Sequence, residues 1–194
     1  MPSLFAGLKN AAVSERGTFM QAGQYKVRVT KAIMKAVRTG GHAFILEFKI
    51  EDSNYAAQKQ IRTNGVTDIA VLETIEKTLP NKPGTTASWF QSLKDTSIGF
   101  GALKGFAAAV LGQNPEDPEF INMVEPFLEQ VVNGDEEAQK LAAASGKPVE
   151  GALNGALLPL ETIMIQTKPK PGAPNGTPFT LFKFGQIIDE TPAS

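Results

Sequence analysis

The chain has 194 residues, 42% of them hydrophobic, enough to bury one core without disulfide or metal staples. It contains no cysteine, which excludes a disulfide framework, a thiolate nucleophile and a cysteine-ligated metal. Its net charge of −1 hides a segregation along the sequence. Residues 1–110 hold fourteen Lys and Arg against eight Asp and Glu, a net of +6. Residues 111–155 hold two bases and nine acids, a net of −7, and residues 156–194 hold three of each. Charge sorted in this way decides which surfaces attract which partners. No apolar run approaches the ~20 residues of a membrane span. The start, MPSLFAGLKNAAVSERG, shows no secretory signal, so the expectation is a soluble intracellular protein.

Residues 1–22 read as an arm or short helix, with Leu4, Phe5 and Leu8 on one face. From Gly23 the period changes to two. Tyr25, Val27 and Val29 alternate with Lys26, Arg28 and Thr30, the pattern of a half-buried strand with a basic outer face. Alternation fails in KAIMKAV, where a bulge or bend is expected. Gly40 and Gly41 supply the positive φ that a hairpin turn needs. A second strand follows, with Phe44, Leu46, Phe48 and Ile50 on one side. A short third strand is read in KQIRTNGVTD (59–68), then a helix over 69–79. SWFQSLKDTSIGFGALKGFAAAVLG reads as helical, with Gly112 as its stop. Asp117-Pro118 and the run DEEAQKLAAASG each open a further helix with a capping acid. ALLPLETIMIQTK and PFTLFKFGQII return to strand around the proline-rich PKPGAPNG loop.

This order predicts a mainly β chain with a helical insertion, an α+β domain. The architecture expected is a five-stranded OB-like barrel with helices between strands 3 and 4. A meandering sheet packed on helices is the competing arrangement. The boundaries are an arm over 1–22, the barrel domain over 23–188 with its helical insertion about 86–150, and a short tail over 189–194.

Catalytic constellations are scarce. His42 is the only histidine and sits beside two turn glycines, without partners for a triad or a zinc site. Glu116, Asp117 and Glu119 are explained by helix capping more simply than by a cation. GFGALKG, Gly99 to Gly105, lacks the Ser or Thr that a phosphate-binding P-loop carries after its Lys. Its small residues instead suit close approach of a helix to a sheet. The expectation is a protein that is not an enzyme and needs neither metal nor cofactor.

A binding surface is better supported. Proteins that hold single-stranded nucleic acid combine a positive groove for phosphates with aromatic faces for bases. From Arg16 to Lys49 the chain carries seven bases against one acid, Glu47. Lys26, Arg28, Lys31, Lys35, Arg38 and Lys49 are the hairpin's candidate phosphate contacts, extended onto strand three by Lys59 and Arg62. Lys168 and Lys170 lie in the last interstrand loop, which in an OB barrel flanks the ligand groove together with the loop between strands 1 and 2. Phe44, Phe48, Phe182 and Phe184 are assigned to the core. Tyr55, Trp89 and Phe179 are the base-stacking candidates.

GQYKVRVTKAIMKAVRTGGHAFILEFKIEDS, the tryptophan segment, GALKGFAAAVLG and LLPLETIMIQTKPKPGAPNGTPFTLFKFGQI together resemble a diverse group of bacteriophage proteins. Some of these are single-stranded-DNA-binding proteins with an OB fold. The resemblance implies DNA replication or recombination as the setting and the cytoplasm of an infected cell as the place. The partner expected is single-stranded DNA, bound with little sequence preference. Replication or recombination proteins on the acidic helices and a homo-oligomer are further expectations; no membrane is expected. A virion structural or assembly role is the alternative. One departure stands out: many such binders end in a long acidic tail, whereas this chain ends IIDETPAS.

Overall fold

The computed structural model describes residues 20–38, 40–78, 81–166 and 178–189. Strands β1 (Gly23–Ala36) and β2 (His42–Ser53) form the long first hairpin. Helices α1 (Tyr55–Thr63) and α2 (Ile69–Thr78) follow, then strand β3 (Thr86–Ser92). Helices α3 (Thr96–Leu111), α4 (Pro118–Asn133) and α5 (Glu136–Ser145) precede β4 (Leu157–Gln166) and β5 (Pro178–Phe184). All pairings are antiparallel, in one five-stranded sheet of order β3-β2-β1-β4-β5. The protein is therefore α+β, and the sheet is open, with β3 and β5 at its edges.

The hairpin follows its sequence pattern closely. Tyr25, Val27 and Val29 on β1 and Phe44, Leu46, Phe48 and Ile50 on β2 are all buried. Gly40 and Gly41 have φ of 88° and 83°, values that residues with a Cβ rarely adopt. Register shifts fall between Lys26 and Val27 and between Val29 and Lys31. The second coincides with the end of pairing to β4. There Val29 donates its N–H to Ala156 O at 2.9 Å and accepts from Gly155 N at 2.8 Å. Beyond it, β1 pairs with β2 alone, and because β2 pairs there with β3, residues 31–36 form the open edge of a three-stranded extension, β1-β2-β3, reaching past β4.

Two expectations are corrected. KQIRTNGVTD is not strand: its first half lies in α1, because Ala56, Ala57, Gln58, Lys59 and Gln60 are helix formers and no alternating apolar run opposes them. The third strand is TASWFQS, in which Ala87, Trp89 and Gln91 face inward while Ser88, Phe90 and Ser92 face outward. Seven residues of alternation beside a long helical pattern are easily absorbed into the helix. The helices between the third and fourth strands accordingly span 96–145 and exclude residues 86–92.

The capping signals operate as read. Asp95, Asp117 and Asp135 each accept backbone N–H groups at the starts of α3, α4 and α5, and Gly112 and Gly146 end α3 and α5 in the left-handed region. Gly99 lets α3 approach the sheet, since a Cβ there would stand 2.5 Å from Ser92 O. Helix α3 touches both β3 and β5, and the ring centroids of Trp89 and Phe184 from those two edges are 5.2 Å apart. Phe44 and Phe106 complete the same aromatic cluster.

Helix α4 buries Phe120, Val124, Leu128 and Val131, spaced for one helical face, into the core that the strands line. The acidic insertion is thus no peripheral addition, because removing α4 would take those four side chains out of the core and uncover the residues they pack against. Among the three helices of the insertion, α5 buries no residue and is the peripheral one. Lys104 of α3 is buried to 4% exposure and reaches toward Glu116, with Nζ to Oε1 at 3.6 Å.

Candidate nucleic-acid interface

With α3 and α4 packed on the inner face, the outer face of β1, β2 and β3 is the surface that carries the bases. Register places its side chains in rows across the strands. Lys26 stands opposite Asp52, Arg28 opposite Lys49, Lys31 opposite Glu47, and Lys35 opposite Ala43. Lys26, Lys31, Lys35 and Lys49 are exposed, and Arg38 is exposed beside the glycine turn. Five of the ten expected phosphate contacts thus share one sheet face, and Arg38 extends their line to the turn of the hairpin.

The charges are not equally available. Arg28 donates from Nε to Glu51 Oε1 at 3.1 Å and from its guanidinium to Gly155 O at 3.0 Å. It is anchored to the fold as well as lining the face. Lys49 directly faces Arg28 yet makes no ion pair among the described residues. Like charges directly opposite one another destabilise a sheet, and a bound polyanion relieves that repulsion. Glu47, Glu51 and Asp52 temper the field at three positions, leaving Lys35, Lys49 and Arg38 as its least compensated members.

Lys59 and Arg62 are not part of this face. Both lie on α1, where Lys59 is ion-paired with Glu76 of α2. Tyr55 also binds Glu76, its hydroxyl donating to Oε1 at 2.6 Å. The Lys59 ammonium, and next the Tyr55 hydroxyl, hold the Glu76 carboxyl below the usual carboxylate range. The hydrogen bond to Glu76 in turn raises the Tyr55 phenol. This cluster fastens the α1–α2 hairpin. Because the carboxyl is depressed in the fold, its contribution is present above the unfolded value and is lost as pH falls through the folded one. Amide-exchange protection factors in 55–78 should therefore fall on acidification through the carboxylate range, and Tyr55→Phe should move that onset upward. An acid response spread evenly over the whole chain would contradict it.

The aromatic candidates separate. Trp89 is only 3% exposed, wedged among Phe44, Phe106 and Phe184, so it is a core residue and offers no face to a base. Tyr55 is half-buried with its hydroxyl engaged. Lys168, Lys170 and the Phe179 side chain, like the arm over 1–19, lie outside the described residues. The assignment of Phe44, Phe48, Phe182 and Phe184 to the core holds, since all four are buried.

Sequence reasoning missed Phe90. It stands on the outer face of β3 at 37% exposure, in register with Ile45, which is in register with Ile33. These three make an apolar row between the Lys31–Glu47 row and the Lys35–Ala43 row. The signal was present in TASWFQS, where one aromatic of the Trp-Phe pair must face outward once the segment is a strand.

No family model, no curated protein and no solved structure matches this chain.

Proposed function

We propose that this protein is a non-enzymatic binder of single-stranded DNA that holds the strand along the outer face of β1, β2 and β3. The observation that carries the proposal is the file of Lys26, Arg28, Lys31 and Lys35 along one strand face, with Lys49 set directly against Arg28. A file of cations at strand spacing suits a chain of phosphates better than a compact anion. Phe90, with Ile45 and Ile33, supplies apolar surface on which bases stack. The strand order, with helices between the third and fourth strands, supports an OB-like barrel opened between β3 and β5. In that architecture the same strands and the loop between β1 and β2 form the ligand groove. Phage replication or recombination is the setting the sequence resemblance favours, with the acidic outer surface of α4 and α5 as the side open to protein partners.

The test is a salt titration with a labelled oligonucleotide. Four to six neutralised phosphates, at about −0.7 each in log–log slope on single strands, give an expected slope of roughly −3 to −4. Affinity indifferent to salt would contradict the proposal.

A further inference from the structure

The outer face carries a second feature beside the cationic file. A groove of about 680 Å³, in the size range of small-ligand sites, lies where the start of β1 meets β4, β5 and the end of β2. Its charged lining is Lys26, Asp52, Glu161 and Lys183. Glu161 and Lys183 are register partners on β4 and β5, so their side chains leave the sheet on the same face, with Cβ atoms about 5 Å apart. Opposite charges so placed could pair, yet neither makes an ion pair or hydrogen bond among the described residues. Asp52, by contrast, already uses one oxygen to accept from Ser53 N at 2.8 Å. Pro159 and Ile188, both half-buried, add apolar surface. The groove therefore offers a carboxylate with both oxygens open, an ammonium beside it, and a surface against which a flat ring can lie.

Nucleobases differ in how well they match that set. Guanine presents two adjacent donors, N1–H and the N2 amino group, next to the acceptor O6. One carboxylate accepts both donors in parallel while an ammonium donates to O6. Cytosine and adenine offer one amino donor beside a ring acceptor, and thymine offers one N–H between two carbonyls. Each of these leaves a carboxylate oxygen unmatched. We propose that the groove receives one guanine base of the bound strand, with Glu161 accepting from N1–H and N2 and Lys183 donating to O6. Lys26 joins the two features, since it lines the groove and also begins the cationic file. The inference rests on the single-strand reading above and adds one base-specific position to otherwise sequence-tolerant binding.

The experiment measures anisotropy of a labelled oligothymidylate and of the same strand carrying one central dG, dA or dC. The dG strand should bind about tenfold more tightly than the other three, as one bidentate contact discriminates. Glu161→Gln should reduce the dG strand to the level of the others and leave the salt dependence unchanged. Lys183→Met, which keeps the apolar stem, should weaken the preference severalfold. Both side chains are exposed, so both variants should melt as the wild type does. Equal affinity of the wild type for all four strands, or a dG preference that survives Glu161→Gln, overturns the guanine site and leaves the single-strand reading standing. No binding of any strand at about 50 mM salt overturns both.

Discussion

Trp89→Ala should lower stability by about 3–5 kcal/mol, the cost of removing a large aromatic from a packed core. The indole sits 5.8 Å from Phe44, 5.3 Å from Phe106 and 5.2 Å from Phe184, centroid to centroid, so its loss opens a cavity where α3 and the two edge strands meet. Collapse of that cavity is resisted on three sides, which places the expected cost toward the upper part of the range. The indole N–H is buried without a hydrogen-bond partner among the described residues, so no polar contact is lost with it. A urea titration gives the change in midpoint. Trp89 emission should be blue-shifted in the native protein and unchanged by oligonucleotide. A loss below about 1 kcal/mol, or quenching on DNA binding, would place the ring at the surface instead.

The double reversal Lys35→Glu, Lys49→Glu should weaken single-strand binding roughly a hundredfold near 50 mM salt and flatten the log–log slope by about 1.4, two phosphates' worth. These two are chosen because neither is ion-paired among the described residues and both are exposed. Arg28 is a poorer choice: its bonds to Glu51 and Gly155 would make a change there structural as well as electrostatic. The loss should be uniform across base compositions, because phosphate contacts position a strand without reading it. Stability should not fall, since removing the Arg28–Lys49 opposition relieves a like-charge pair. A variant that binds as the wild type does would remove the outer face from consideration.

Much of this was written in local pattern. The first hairpin was legible because period-two alternation, a diglycine turn and a register break each have one structural meaning at those positions. The helix caps were legible because Asp and Gly act there through their own backbone neighbours. The third strand was not, because its pairing partner β2 is not adjacent in sequence, while α3 follows so closely that its helical pattern absorbs the short alternation. That one misplacement carried Lys59 and Arg62 onto a sheet they do not join. It also took Trp89 for a surface residue and hid Phe90. Side-chain contacts likewise depend on which segments meet: Arg28 finds the Glu51 carboxylate and the Gly155 carbonyl only once the fold has formed. The packing of α4 was hidden by its acids, which colour its outer face, while Phe120, Val124, Leu128 and Val131 fix its place in the core.

Lysine footprinting of the intact protein tests the binding face most directly. Amine acetylation with and without a saturating oligonucleotide, read by mass spectrometry, reports each lysine separately. Lys26, Lys31, Lys35 and Lys49 should be protected together, while Lys140 and Lys147, on and just beyond α5, continue to react as in the free protein. Protection confined to Lys140 and Lys147, or none at the four hairpin lysines with DNA bound, would contradict a strand held on the outer face of β1 and β2.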